Sequence, residues 1–232
     1  MTVQLITFDL DDTLWNIGPV MHSAEAALRD WLAINAPRLG DFPIEALWAI
    51  RRQLTEADPS LKHRLSELRR RILLHALQAA GYPADEAVEL SEQGFQVFLE
   101  ARHAVELFPD VHPTLEQLAN RYTLGVLTNG NAEVKRLGLA DYFRFTLCAE
   151  ELGVGKPDPR PFREALARAG VSESQAVHIG DHPEDDVAGA KMAGLRAIWF
   201  NPGRKPWNEG TRPDAEIQRL TELPAVLERW NH

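Results

Sequence analysis

Two kinds of hydrophobic spacing alternate along the chain. The run Val3-Gln4-Leu5-Ile6-Thr7-Phe8 is apolar and partly β-branched, and it ends abruptly in Asp9-Leu10-Asp11-Asp12-Thr13-Leu14. Such a run predicts a buried parallel strand whose carboxyl end opens onto a site. After Leu14 the spacing becomes helical over Ser23–Ile34, Ile44–Leu54, Leu61–Ala80 and Asp85–Ala101. Breakers at Pro37 to Pro43, Asp58-Pro59 and Gly81-Tyr82-Pro83 separate these segments. Ser60 and Asp85 stand where N-caps are expected. The block has the size of a four-helix bundle.

Beyond Phe108-Pro109-Asp110, short apolar runs alternate with helical stretches. The expected strands are Tyr122–Leu127, Phe145–Cys148, Ala176–Ile179 and Arg196–Phe200. The expected helices are Thr114–Asn120, about Glu133–Leu137, Phe162–Ala169 and Asp185–Ala193, with a closing helix Leu220–Trp230 carrying Pro224 near its first turn. This alternation predicts a parallel sheet covered by helices on both faces. The isolated first strand needs that sheet to bury its own two faces. The predicted fold is therefore α/β, a Rossmann-like parallel sheet core formed by residues 1–15 and 102–232. Residues 16–101 are inserted into it as an α-helical cap.

Composition narrows the setting. Of 232 residues, 44% are hydrophobic and 25% charged, which is ordinary for a globular protein with a real core. A net charge of −9 argues against nucleic acid or an anionic membrane as partner. The single cysteine, Cys148, excludes an internal disulfide, and in its apolar stretch it reads as a small buried hydrophobe. Met1-Thr2 leads straight into the first strand with no signal peptide, and no apolar run is long enough to span a bilayer. A cytoplasmic protein is expected.

Four chemistry-bearing stretches fall at the carboxyl ends of predicted strands, where open α/β sheets bind ligands. The first is Asp9-Leu10-Asp11-Asp12-Thr13, whose paired acids suit a hard cation and a carboxylate nucleophile, or else form an ordinary acidic turn. The others are Leu127-Thr128-Asn129-Gly130, then Gly155-Lys156-Pro157, then Gly180-Asp181-His182-Pro183-Glu184-Asp185-Asp186. In this order they resemble the four motifs of the haloacid dehalogenase-like (HAD) hydrolases: DxDxT/V, a strand-end Thr or Ser, a Lys, and GDxxxD or GDxxxxD. The helical block matches the placement of that superfamily's C1-type cap.

The resemblance implies a Mg²⁺-dependent phosphatase of a small phosphorylated metabolite. Asp9 would be the nucleophile and Asp11 the general acid and base. Asp9, the Asp11 carbonyl, Asp181 and Asp186 would serve the metal. Thr128, the amides of Asn129 and Gly130 at a helix start, and Lys156 would hold the phosphoryl oxygens. Asp186 is favoured over Asp185 as the second acid of the fourth motif, because Asp186-Val187-Ala188-Gly189-Ala190 continues the family pattern. Asp185 reads instead as an acid at a helix start. The dehalogenases of the superfamily lack the acid two residues after the nucleophile, so Asp11 favours phosphate esters. A phosphomutase and a non-catalytic phosphometabolite binder are the alternatives.

Finer likeness in Leu127–Ala132, Gly138–Phe143 and His63…Arg69-Arg70-Arg71 points to the riboflavin-pathway phosphatases, which act on 5-amino-6-(5-phospho-D-ribitylamino)uracil and flavin mononucleotide. Arg51–Arg71 holds seven basic residues against three acidic. It reads as a solvated helix face with pairs such as Glu67–Arg71, ahead of an anion-attracting patch. Trp15 is open to two readings, stacking on a flat substrate or packing at a hinge.

Overall fold

The computed structural model describes residues 2–40, 43–208 and 210–230, so Asp41 and Phe42 of the first breaker run lie outside the described residues. The elements run β1 (Leu5–Phe8), α1 (Ile17–Asn35), α2 (Ile44–Ala57), α3 (Leu65–Ala79), α4 (Ala84–Arg102), α5 (Val111–Ala119), β2 (Thr123–Thr128) and β3 (Phe145–Cys148). They continue with α6 (Ala149–Leu152), α7 (Pro159–Ala169), β4 (Ala176–Gly180), α8 (Gly189–Met192), β5 (Arg196–Phe200), β6 (Ala215–Ile217) and α9 (Leu223–Trp230). Two compact units result, one of Met1–Asn16 with Glu106–His232 and one of Ile17–Val105.

The first unit is built on one six-stranded parallel sheet in the order β3-β2-β1-β4-β5-β6. β1 lies between β2 and β4, so the strand order reverses beside it, and its carboxyl end faces the crevice that such a reversal leaves. Both faces of β1 are covered: Leu5, Ile6, Thr7 and Phe8 have no exposed surface. Each of its large apolar side chains contributes roughly 1.5–3 kcal/mol by burial. On one face of the sheet, Phe162, Ala165 and Leu166 of α7 pack with Leu127, Leu147, Val187 and Trp199.

In the helical unit, Ala24 and Leu28 of α1 meet Phe95, Phe98 and Leu99 of α4, with Leu73 of α3 beside them. The basic stretch is spent largely on local pairing. Arg69 binds Glu25 at 2.8 Å and lies over the Phe98 ring, Arg70 binds Glu92 at 2.6 Å over Phe95, and Arg71 binds Glu67 at 2.6 Å. This agrees with pairing on helix faces rather than with a patch left open for anions.

Several local expectations need correction. Asp58, not Ser60, caps the short turn after α2: its carboxylate accepts the Ser60 amide and hydroxyl at 3.1 and 2.6 Å. Asp85 is a first-turn acid of α4, because the helix begins at Ala84, directly after the extended Pro83. The expected helix about Glu133–Leu137 is a single turn. Gly138 at φ +68 closes it, with the Leu139 amide donating to the Val134 carbonyl at 2.9 Å. The helix expected over Asp185–Ala193 is a wider π turn at Pro183–Ala188 followed by α8. The strand β6 was not anticipated. No helix among the described residues is long and apolar enough to cross a membrane.

Phe162 has no exposed surface and packs edge-on to His178, with ring centroids 5.2 Å apart. Phe162→Ala is expected to lower the unfolding free energy by about 3–5 kcal/mol. Urea denaturation at unchanged m-value measures it.

Candidate active site

Three neighbouring strands and one loop deliver the site. Asp9 directly follows β1, and its amide donates to the Ile179 carbonyl at 2.9 Å, so pairing with β4 continues one residue past the strand. The chain then turns sharply. Asp12 takes φ +57, which Asp tolerates better than most residues, and the Thr13 and Leu14 amides both donate to the Leu10 carbonyl. Trp15 pairs with Leu107, and the Phe108 amide donates to the Leu14 carbonyl at 2.9 Å, so the outgoing and returning segments run side by side. Trp15 is fully buried, which removes stacking on a substrate ring and leaves packing.

Lys156 sits at the centre. Its Nζ donates to Asp9 Oδ1 at 2.7 Å and to Asp186 Oδ1 at 2.6 Å, and its side chain is 2% exposed. The loop that carries it is clamped by Asn129. That side chain accepts the Lys156 amide at 2.8 Å and donates to the Lys156 carbonyl at 2.9 Å and to Asp185 Oδ2 at 3.2 Å. The Lys156–Pro157 bond is cis. The Asn129 side chain is thus committed to the loop, and any contact of Asn129 with substrate falls to its backbone amide. Thr128 Oγ1 accepts the Gly130 amide at 3.0 Å, which leaves the Thr128 hydroxyl hydrogen as a donor and takes up the Gly130 amide. No helix starts here, contrary to expectation.

The fourth motif is shaped by its π turn, a feature that often marks functional segments. His182 is the N-cap, its Nδ1 accepting the Asp185 amide at 3.1 Å, and the Asp186 and Val187 amides both reach the His182 carbonyl. The wide turn carries Asp186 back over Gly180. A Cβ at residue 180 would fall 2.2 Å from the Asp186 carboxylate carbon, so only glycine fits. Asp186 Oδ2 accepts the His182 amide at 2.9 Å, while Oδ1 takes both Lys156 and His178 Nε2, the latter at 3.0 Å. The Asp181 carbonyl accepts the Trp199 indole N–H at 2.8 Å.

Asp9, Asp181 and Asp186 each offer a carboxylate oxygen, and these oxygens lie within 4.8 Å of one another. Three hard oxygen donors at that spacing fit a divalent cation such as Mg²⁺. The electrostatics agree. Burial, reinforced by Asp186 and Asp12, pushes Asp181 up to about 7. Burial also holds Asp9 well above the ordinary carboxylate range despite Lys156, with Asp186 adding to the rise. Burial would raise Asp186 too, but Lys156 and His178 outweigh it and keep that carboxylate ionised far below the usual range. Burial would lower Lys156, but Asp186 and Asp9 reverse this and hold the ammonium above the ordinary lysine range. Burial keeps His178 neutral.

The structure therefore brings together Asp9, Lys156, Asp181 and Asp186, with Thr128 and Asn129 at the end of the adjacent strand β2. Asp11 lies in the turn after β1 and is not part of the carboxylate cluster. Asp185 touches Asn129 and also stands outside that cluster, as a first-turn acid. Sequence reasoning missed His178 and Trp199. A histidine inside the apolar strand Ala176-Val177-His178-Ile179 was a usable signal, since a buried imidazole must find partners. Nothing in the sequence marked Trp199.

The model of the haloacid dehalogenase-like hydrolases matches residues 3–194. The 5-amino-6-(5-phospho-D-ribitylamino)uracil phosphatase YigB of Escherichia coli is 32% identical over 229 residues, covering 97% of this chain and 96% of that protein. A crystal structure described as a 2-haloacid dehalogenase, from Pseudomonas syringae pv. Tomato DC3000, is 62% identical with a TM-score of 0.98, covering 99% of this chain and all of that one. The HAD-hydrolase YfnB of Bacillus subtilis, solved bound to magnesium, is 25% identical with a TM-score of 0.68, over 98% of this chain and 99% of that one. With its four motifs gathered at the carboxyl ends of one parallel sheet and the family's model matching most of its length, the chain belongs to the haloacid dehalogenase-like hydrolases.

Proposed function

We propose that the protein is a Mg²⁺-dependent phosphatase of a small phosphorylated metabolite, acting through a phosphorylated Asp9. The observation that carries this reading is the shared ammonium of Lys156 between Asp9 and Asp186, beside Asp181. An Asp9 oxygen attacks phosphorus and forms the acyl-phosphate bond while the phosphorus–oxygen bond to the leaving group breaks. Asp11 gives that alkoxide its proton. It then takes a proton from the water that attacks phosphorus, releasing inorganic phosphate and restoring Asp9. Lys156, the Thr128 hydroxyl and the Asn129 amide hold the phosphoryl oxygens. Asp9, Asp181, Asp186 and the Asp11 carbonyl would hold Mg²⁺, whose positive charge would let a phosphate dianion approach these carboxylates. To the helical unit, inserted in the chain between β1 and β2, we assign the role of the family's cap.

Full-length similarity to YigB supports a ribityl phosphate as substrate. Similarity to the 2-haloacid dehalogenase structure supports a second reading, since displacement of halide uses the same carboxylate nucleophile. Two features favour the phosphate ester. A halide leaves as a stable anion that needs no proton, so Asp11 would be idle. The cluster of Asp9, Asp181 and Asp186 would also lack the cation it fits.

Phosphate release from an aryl phosphate, from flavin mononucleotide and from a panel of phosphorylated metabolites is the test, with halide release from 2-chloropropionate in parallel. Phosphate release is expected to need Mg²⁺ and to stop in excess chelator. It should fall at least about 10³-fold in Asp9→Asn and in Lys156→Ala, both remaining folded by circular dichroism. Halide release without phosphate release would overturn the proposal.

The cation has its own signature. Asp181, raised from 3.8 to about 7, favours the native state in full only below pH 3.8 and loses that contribution progressively as pH rises from there through about 7. His178 acts in the opposite sense, but only below 6.5. Metal-free protein should therefore lose thermal stability between pH 6.5 and about 8, and Mg²⁺ should raise the melting temperature more at the upper end. Calorimetry with and without chelator measures both effects.

A further inference from the structure

His178 occupies the middle of β4, 1% exposed, with both ring nitrogens engaged. Nε2 lies 3.0 Å from Asp186 Oδ1, and Nδ1 lies 2.8 Å from Thr7 Oγ1 on the neighbouring strand. Strand register sets this pair, because Thr7 and His178 are direct partners in the β1–β4 ladder. Phe162 closes the space beside the ring. An ionised carboxylate can only accept, so the Nε2 facing Asp186 carries the hydrogen, and in the neutral ring Nδ1 accepts from the Thr7 hydroxyl.

We propose that His178, with its tautomer fixed by Thr7, is a positioning residue that aims the Lys156 ammonium at the phosphoryl group. Asp186 is held from three directions: His178 and Lys156 on Oδ1, and the His182 amide on Oδ2. A carboxylate held this way cannot swing, so its bond to Lys156 has one direction. Lys156 spends a second hydrogen on Asp9. With two of three ammonium hydrogens fixed, tetrahedral nitrogen leaves the third a single direction, and that hydrogen is the one available to a phosphoryl oxygen. Without the His178 donor, Asp186 Oδ1 keeps only the mobile ammonium, and the pair can rotate together away from Asp9. The chain Thr7–His178–Asp186–Lys156–Asp9 thus carries the rigidity of two central strands to the nucleophile. Partners at this remove from a reacting centre typically change activity about 10–100-fold when lost.

This inference rests on the phosphatase reading for its kinetic arm but not for its spectroscopic one. In His178→Leu, kcat per folded molecule for an aryl phosphate is expected to fall about 10–100-fold. His178→Gln, whose side-chain nitrogen reaches the place of Nε2, should recover most of that loss, and Thr7→Val should give a smaller fall. A merely structural role would lower the melting temperature equally in the Leu and Gln variants without this rescue. Independently of turnover, ¹⁵N spectra of the imidazole should show the hydrogen on Nε2. The buried Lys156 ammonium signal, assigned by its loss in Lys156→Met, should move in His178→Leu and return in His178→Gln. An imidazole hydrogen on Nδ1, or a Lys156 signal and kcat unchanged in His178→Leu, would overturn the inference. Absence of phosphate release in the wild-type protein would instead overturn the phosphatase reading and leave the two spectroscopic outcomes to decide the role of His178. Should His178→Leu fail to fold, Thr7→Val and the wild-type imidazole spectrum carry the same decision.

Discussion

Asp9, Asp181 and Asp186 converge at the carboxyl ends of two adjacent strands, and the crowding is tolerable because one ammonium stands among them. Burying an isolated carboxylate costs several kcal/mol, and three together would not stay ionised. Lys156 lies within 2.7 Å of two of them and offsets part of the cost. The third, Asp181, is favoured less by Lys156 and His182 than it is opposed by burial, Asp186 and Asp12, and its proton affinity rises accordingly. One cation against three anions leaves a deficit of positive charge. A deficit in a rigid oxygen-lined site is what gives a divalent ion its hold. The same imbalance that weakens the metal-free fold therefore supplies the attraction for a cation.

The sheet makes this arrangement possible with little local invention. Because β1 is flanked by β2 and β4, residues immediately after three strands share one edge of the sheet. Their backbone directions are fixed by ladders that continue to the site itself, as the Asp9–Ile179 bond illustrates. Loops contribute the remaining groups, and each is fastened. Asn129 holds the Lys156 loop at both the amide and the carbonyl, and Trp199 holds the Asp181 carbonyl.

Much of this was legible in the sequence because strand-end chemistry is local. An apolar run ending in Asp9-Leu10-Asp11, or in Gly180-Asp181, announces both the strand and the site within a few residues. What escaped depends on contacts distant in sequence or on small backbone energies. His178 gains its meaning from Thr7, which is close only once β1 pairs with β4. The turn about Glu133–Leu137 carries helical spacing but is too short to repay helix nucleation before Gly138 ends it. β6 spans three residues with Glu216 at its middle and has no alternation long enough to read. The π turn arises from the demand that Asp186 reach Lys156 over Gly180, a tertiary requirement with no signature in residue spacing.

The paired segments at Trp15 and Leu107 also bear on how such a chain is assembled over evolutionary time. The inserted helices begin and end at one point, so the sheet unit meets them as it would meet a hairpin turn. Closing a longer loop costs only about 0.6 kcal/mol for each doubling of its length. Helices between residues 16 and 106 can then be lengthened, replaced or exchanged for another module at almost no cost to the sheet. The strand that leads to Asp9 and the inserted helices become separate cassettes joined at a common hem, each free to vary while the other is kept.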